Sequence, residues 1–319
     1  MTSVPRVSAP IRDEPSGLDA IAGAFEGQRI AAVAARGKRR LMVGAAGAGL
    51  ALVLLLAAVL GSAGGVPFPV VLFAIGGLLI GGYVWQDAPI RRYARLVKST
   101  AFEAALASLG PGWRFAPAGG FSMDDLKRSR ILPGYDSAKQ EDYMSGAYRG
   151  LPVEIGELTL TERRGTGKNR RTVTTFDGLV VRIGLPRTHE AHTIVLRRMG
   201  HPGLFTSFER VRLEDPEFEG VFNAYSTDQI AARTLLTTSF MERLRLLSDD
   251  MRRLGRRSDG RLTAAAVGDQ LLILVPCTTN LFEVRGADRP GHLRADLERL
   301  LVEVRDVLAI ADRLRLQAD

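Results

Sequence analysis

The chain has 319 residues, 46% of them hydrophobic, a formal net charge of +8 and one cysteine. A single cysteine cannot form an internal disulfide, so the composition excludes a disulfide-stapled fold and suits a reducing compartment. Residues 1–100 hold 11 Lys and Arg against 5 Asp and Glu, whereas the other 219 residues hold 32 against 30. The basic excess is therefore N-terminal, which disfavours nucleic acid as a partner of the larger C-terminal part.

The N-terminal 40 residues predict a tail followed by a helix. Residues 1–15 contain three prolines and predict a disordered tail. Residues 16–40 predict an amphipathic juxtamembrane helix that begins at a capping box formed by Ser16 and Asp19. This helix can either lie on the membrane surface or pack on the soluble domain, and the sequence leaves both open.

Two apolar runs follow, Leu41–Leu60 and Val66–Trp85, each of 20 residues without a charged side chain. A helix of that length spans about 30 Å, the thickness of the hydrocarbon core of a bilayer. Only Gly61–Gly65 separates the runs, so the sequence predicts a transmembrane hairpin over residues 41–85. The lack of ionisable residues within the runs indicates an anchor in the lipid bilayer rather than an ion pathway.

Cationic residues flank both runs, and the connecting loop has no charge. They are Arg36, Lys38, Arg39 and Arg40 before the first run, and Arg91, Arg92, Arg95 and Lys98 after the second. Because Lys and Arg near a span favour the cytoplasmic side, we expect a multi-pass protein of the inner membrane with both termini cytoplasmic. Gly77 and Gly81 form a GxxxG element, which predicts either close packing of the two spans or a homodimer through the second span.

Residues 86–112 predict a juxtamembrane helix that ends at Gly110-Pro111-Gly112, and residues 113–319 predict a cytoplasmic α+β domain. The hydrophobic period in this domain changes between two residues, typical of strands, and about 3.6 residues, typical of helices. We therefore predict an antiparallel sheet packed by helices. The segment Phe121–Gly146 is mixed, with a helix near Ser122–Arg130.

Further elements alternate in type after residue 150. The predicted strands are a first one around Val153–Leu160, then Val173–Leu185, Thr193–Arg198, Phe208–Leu213, Leu262–Val267 and Gln270–Val275, the last two joined by a turn at Gly268-Asp269. One predicted helix starts after Asp215, with Pro216 at its first position, and runs to about Tyr225. Further predicted helices start after Asp228, at Ser239 and at His292.

No residue set predicts catalysis, a cofactor or a metal. His189 and His192 are three apart rather than four as in HExxH, and we interpret them as an exposed loop pair whose rings point to different sides. Gly165-Thr166-Gly167-Lys168 lacks the spacing of a phosphate loop and reads as a hairpin turn. Cys277 ends an apolar run and predicts a buried structural thiol.

The hairpin after the first strand carries a cluster of cations, namely Arg163, Arg164, Lys168, Arg170 and Arg171. Such a cluster is typical of a solvated tip. In a domain tethered to a negatively charged leaflet, it also predicts contact with anionic lipid head groups.

Several motifs make the chain similar to a known family. They are Val211–Phe218 (VRLEDPEF), Phe222–Arg233 (FNAYSTDQIAAR), Leu236–Leu244 (LTTSFMERL) and Phe176-Asp177-Gly178-Leu179. Over Leu151–Glu283 the chain resembles a bacterial membrane-anchored family known as domain of unknown function 3137. The resemblance implies an α+β domain after two N-terminal spans and no catalytic residues. The chain departs from the family at residues 189–192, where Phe and Gly are usual.

Two functions follow as hypotheses. The first is a non-catalytic binding or regulatory module held at the inner leaflet, with a protein partner or a small ligand. It predicts an exposed apolar patch or strand edge. The alternative is a membrane-tethered, hydrolase-like enzyme, which predicts a pocket with convergent polar groups and perturbed pKa values.

Overall fold

The structure is a computed structural model that describes residues 15–59, 68–107, 111–198, 207–254, 262–277, 282–284, 286 and 288–314. The chain divides into two compact units, residues 1–104 with 284–300 and residues 105–283 with 301–319. The predicted tail up to residue 14 and the predicted loop Gly61–Gly65 lie outside the described residues.

The chain alternates helices and strands after a helical start. The helices are α1 Pro15–Val59, α2 Phe68–Gln86, α3 Ala88–Ala107, α4 Met123–Arg128, α5 Pro216–Val221, α6 Gln229–Leu235, α7 Thr238–Leu254 and α8 His292–Leu314. The strands are β1 Arg114–Ala118, β2 Ser137–Tyr148, β3 Leu151–Arg164, β4 Arg171–Arg197, β5 Glu209–Val211, β6 Phe222–Ser226 and β7 Thr263–Pro276.

The first unit consists of α1, α2, most of α3 and the start of α8. The predicted juxtamembrane helix and the first apolar run form one continuous helix, α1. Phe25 in its N-terminal half is fully buried, and Asp19 pairs with Arg294 at 3.1 Å. The N-terminal half of α1 therefore contacts the start of α8 within this unit, and its contact with a membrane surface stays a prediction.

The contact between α1 and α2 uses a glycine next to the GxxxG element. A Cβ on Gly82 would lie 2.8 Å from Cγ1 of Val43, whereas a Cβ on Gly77 or Gly81 would meet no described atom within 4 Å. Among the described atoms, the close approach of the two helices is therefore at Gly82, and both packing of the two spans and a homodimer through Gly77 and Gly81 stay predictions. Within the described residues, no helix has both the length and the apolar character needed to cross a membrane. The transmembrane hairpin over residues 41–85 also stays a prediction.

The second unit is built on an antiparallel sheet of seven strands, which confirms the predicted α+β class. The strand order is β1-β2-β3-β4-β6-β5, with β7 also paired to β4. Residues 178–183 of β4 lie between β3 and β7, and residues 193–195 lie between β6 and β7. Val180 and Val181 point to opposite faces of the sheet and are both fully buried, so both faces are covered at this point of β4.

One core lies between a face of this sheet and α4. It contains Leu126 of α4 with Leu158, Leu160, Val180 and Ile194 of the sheet. Because these apolar side chains fix α4 against the sheet, they also fix the polar residues at the end of that helix.

Three predicted helix starts are confirmed by their caps. The side chain of Ser122 accepts a hydrogen bond from the Asp125 N–H at 3.3 Å, and Asp215 accepts one from the Phe218 N–H at 3.0 Å. Asp228 accepts two, the shorter from the Ile230 N–H at 2.7 Å. The helix α7 begins at Thr238, before the predicted cap Ser239.

Other boundaries differ from the prediction because tertiary pairing overrides local signals. The helix α5 ends at Val221, and the residues from Phe222 to Ser226 that continue it in the prediction form β6. The predicted hairpin Leu262–Val275 is wrong, since β7 is one strand that pairs with β4 before and after Gly268. Gly268 has a φ of 59° and lies at a shift in register, so it makes an irregularity in a strand rather than a turn.

Candidate functional site

The cationic hairpin tip lies where β3 ends and β4 begins. Its described side chains are exposed, and Lys168 belongs to a short 3₁₀ turn over Gly167–Asn169. Arg164 and Arg171 are directly opposite each other in the register, an arrangement that is unfavourable for like charges. Among the described tip side chains, Arg164 forms an ion pair with Glu162 at 2.7 Å. The tip thus presents excess positive charge to its surroundings.

A second cationic feature lies beside α4. An open groove of about 960 Å³, named the basic groove below, is lined by Lys127, Arg128, Arg130, Tyr135, Asp136 and His192 together with apolar residues of the segment 132–134 and Val267. The sequence analysis missed this groove. The only local signal is the density of cations in Lys127-Arg128-Ser129-Arg130, and nothing in the sequence places His192 beside them.

The floor of the basic groove is held by hydrogen bonds. Nε2 of His192 donates to the carbonyl oxygen of Ser129 at 2.9 Å, and because a carbonyl can only accept, this nitrogen carries the proton. The imidazole also contacts the ring of Phe208 edge to face, with centroids 4.8 Å apart. Burial lowers the pKa of His192, the hydrogen bond to Ser129 opposes this, and the charge of Arg130 lowers it further. The ring is therefore neutral near pH 7.

The basic groove touches the base of the hairpin. Asp136, at its rim, accepts a hydrogen bond from the backbone N–H of Arg163 at 2.6 Å and donates its own N–H to Thr161 at 2.8 Å. These two contacts fix the segment 132–136 against the end of β3.

On the other side of α4 lies a smaller cleft of about 170 Å³. Arg182 pairs there with Glu154 and with Asp125, the latter at 3.5 Å. Burial raises the pKa of the nearby Tyr143, and its hydrogen bond to Glu154 adds to the increase. The charge of Arg182 is thus compensated by two carboxylates.

The two histidines are not the exposed loop pair that the sequence predicts. Both lie within β4, which continues through residues 186–192, and His189 is 9% exposed. Nε2 of His189 lies 2.8 Å from Oγ1 of Thr193, which lies 3.0 Å from Oγ of Ser226. The prediction that the rings point to different sides is confirmed, because His192 packs on the face of Phe208 and His189 on the face of Thr193. No group of potential metal ligands occurs among the described residues.

The prediction for Cys277 as a buried thiol is confirmed. Burial raises the pKa of Cys277 to about 11. The thiolate is the reactive form of cysteine, so this side chain is chemically inert at neutral pH.

Comparisons with known proteins place the C-terminal part of the chain. No match is found among curated proteins. Among solved structures, the crystal structure of the mycobacterial trehalose monomycolate transport factor A is similar, with a TM-score of 0.38 and 15% identity, covering 70% of this chain and 97% of that chain. A TM-score this low does not establish a common fold. Residues 174–316 match the family model described as protein of unknown function (DUF3137). This region, which includes most of β4 and all the following elements, is therefore similar to the uncharacterised DUF3137 family.

Proposed function

We propose that the chain is a non-catalytic binding module that is anchored in a membrane by α1 and α2 and contacts anionic lipid head groups through the tip of the β3–β4 hairpin. The observation that carries this proposal is the unfavourable pairing of Arg164 opposite Arg171 at an exposed tip. Sheet stability does not favour such a pair, whereas an anionic surface would stabilise each cation by about 1 kcal/mol.

The membrane anchor is supported by sequence and by exposure. Both runs within residues 41–85 lack charged residues over 20 positions. Large apolar side chains on α1 and α2 are exposed, among them Leu41 at 76%, Phe73 at 83% and Ile80 at 69%. Exposure of such large apolar side chains is unfavourable in water and favourable in lipid. Together with the flanking cations, it supports an inner-membrane protein with both termini in the cytoplasm.

The lipid contact can be measured in the complete chain reconstituted in nanodiscs. A fluorophore on Thr166→Cys, in a Cys277→Ser background, reports the environment of the tip. We expect phosphatidylglycerol discs to shield this fluorophore from an aqueous quencher more than phosphatidylcholine discs do, and salt to abolish the difference. Replacing all five tip cations by Ser should also abolish the difference in shielding. Each single replacement should lower the equilibrium constant for contact between the tip and the lipid about fivefold.

A fluorophore on Ile230→Cys provides the matched control, because Ile230 is 78% exposed on α6 and remote in sequence from the tip. Equal shielding of the tip by both lipids would contradict the proposal. So would a difference in shielding that remains after all five tip cations are replaced by Ser.

The hydrolase-like alternative has weaker support. The basic groove meets its requirement for a pocket. Within the described residues, however, the histidine ring nitrogen that contacts a hydroxyl group is that of His189, which lies against Thr193. Thr193 and Ser226 are each 1% exposed, so a substrate cannot reach these hydroxyl groups.

For a protein partner at the membrane, the outer strands β1 and β5 offer edges that a binding module can use.

A further inference from the structure

An open crevice lies between α1 and α2 in the first unit. It has a volume of about 470 Å³ and is lined by Met42, Val43, Ala46, Gly81, Gly82 and Trp85. The two helices touch at its floor, where a Cβ on Gly82 would lie 2.8 Å from Cγ1 of Val43. The crevice is open at Gly81, since a Cβ there would meet no described atom within 4 Å. A volume of this size is within the range of sites that hold small-molecule ligands.

The walls of this α1–α2 crevice suit a hydrocarbon chain. None of the lining residues is charged, and the indole N–H of Trp85 is their one polar side-chain group. In a bilayer, however, an acyl chain gains no hydrophobic energy by entering the crevice, because the surrounding lipid is equally apolar. Any selectivity for one lipid must therefore come from groups that meet its head group.

Two guanidinium groups lie where the crevice reaches the end of α2. That of Arg39 lies 4.6 Å from the centre of the Trp85 ring and donates a hydrogen bond to the Trp85 carbonyl oxygen at 2.9 Å. Arg91 donates to the carbonyl oxygen of Val84. Because Arg39 precedes Val43 by four residues, both side chains lie on the same face of α1. Positive charge is thus placed beside the apolar walls.

Arg39 differs in its partners from Arg36, one helical turn earlier. Arg36 pairs with Asp87 at 2.6 Å and with Asp288 at 2.9 Å, so its charge is compensated within the unit. Arg39 is half-buried, and no carboxylate among the described residues pairs with it. The Trp85 carbonyl takes one of the five N–H donors of its guanidinium. The donors that remain match the oxygens of a phosphate group.

We propose that the α1–α2 crevice binds an anionic phospholipid, with the phosphate at Arg39 and an acyl chain against Gly81 and Trp85. This inference rests on the membrane anchor proposed above, but not on the lipid contact of the hairpin tip. Phosphatidylglycerol fits the site better than phosphatidylcholine, because the choline group adds a positive charge next to Arg39 and Arg91.

Quenching of Trp85 fluorescence by brominated lipid tests this site in the complete chain. Trp113→Phe leaves Trp85 as the single tryptophan. The vesicles contain equal amounts of phosphatidylglycerol and phosphatidylcholine with the same acyl chains, and either one or the other lipid is brominated. We expect stronger quenching by brominated phosphatidylglycerol, equivalent to about fivefold tighter binding. Arg39→Gln should abolish this preference, and Arg39→Lys, which keeps the charge, should retain most of it.

Two matched variants separate the crevice from general effects of the helices. Gly81→Leu fills the crevice and should abolish the preference. Gly77→Leu is its control, because Gly77 lies one turn earlier on α2, does not line the crevice and would also place a Cβ with no described atom within 4 Å. It should leave the preference unchanged. Arg40→Gln removes an exposed neighbouring cation and should lower the preference less than Arg39→Gln does.

Several outcomes would overturn the site. They are equal quenching by both lipids, equal effects of Gly77→Leu and Gly81→Leu, and equal effects of Arg39→Gln and Arg40→Gln. Quenching by neither lipid, in a chain that floats with the vesicles, would assign the crevice to a second copy of the chain. A chain that does not float with the vesicles would contradict the membrane anchor itself. The five Ser replacements at the hairpin tip should leave the quenching of Trp85 unchanged, so failure of the tip contact is distinguishable from failure of this site.

Discussion

His189 is a titratable side chain inside the sheet. Burial lowers its pKa, the neighbouring His192 lowers it further, and Asp228 opposes both effects. In the unfolded chain a histidine has a pKa of about 6.5. Below that pH the unfolded state binds a proton that the folded state does not, so the folded state loses stability as the pH falls.

We therefore expect the free energy of unfolding of the parent to be constant from about pH 6.5 to about pH 8 and to decrease below this range, with a slope of at most about 1.4 kcal/mol per pH unit for each buried histidine. His189→Gln keeps an acceptor for Thr193 and should reduce this slope. Urea denaturation at a series of pH values measures it. The exposed His292 supplies the control variant His292→Gln. Equal slopes for parent and His189→Gln would contradict this assignment.

At the residue level, helix caps could be predicted and the basic groove could not. Asp215 and Asp228 act on N–H groups within three residues, so their roles are local. The groove combines residues 127–136 with His192, and only the packing of α4 on the sheet brings them together. A local sequence pattern cannot predict a contact between residues so far apart in the chain.

At the level of elements, the pairing of β4 with β7 depends on a glycine in β4, Gly178. A Cβ on Gly178 would lie 2.1 Å from the carbonyl oxygen of Val275 and 2.8 Å from the backbone nitrogen of Cys277. Backbone atoms in a paired strand cannot move aside as a flexible side chain can. We expect Gly178→Ala to lower the free energy of unfolding by about 3 kcal/mol, in the upper range for overpacking.

Gly220 is the matched control for this substitution. It lies in α5, and a Cβ there would meet no described atom within 4 Å. Gly220→Ala should leave stability unchanged or raise it by up to about 1 kcal/mol, because alanine favours a helix more than glycine. Urea denaturation of both variants measures the contrast, and a Gly178→Ala protein as stable as its parent would show that β7 does not approach β4 this closely.

Elements with strong apolar alternation could be predicted, and those formed by pairing could not. The residues of β3 alternate around Leu158 and Leu160, and that strand was expected. In β2 only Asp142 and Met144 are buried, so the sequence shows no apolar alternation there and the strand forms because it pairs with β3. In β7, Gly268-Asp269 resembles a turn, but pairing with β4 on both sides of it keeps the strand continuous.

At the level of the whole molecule, the charge distribution predicts how the chain is oriented. Residues 1–100 hold a net charge of +6, in contrast to +2 for the remainder. The cations near the two apolar runs lie before the first run and after the second, and the loop Gly61–Gly65 holds none. This asymmetry predicts that the loop faces outward and that the α+β unit stays inside.

The single cysteine makes this topology measurable by labelling. Cys277→Ser gives a parent without thiols, into which Ser62→Cys places a thiol in the loop and Thr166→Cys places one at the exposed hairpin tip. In spheroplasts, a membrane-impermeant maleimide should label Ser62→Cys directly and Thr166→Cys only after permeabilisation, because the bilayer separates the reagent from the cytoplasmic side. The parent should stay unlabelled in both conditions. Labelling of Thr166→Cys before permeabilisation would place the α+β unit outside and would remove the inner leaflet as the surface that the tip contacts.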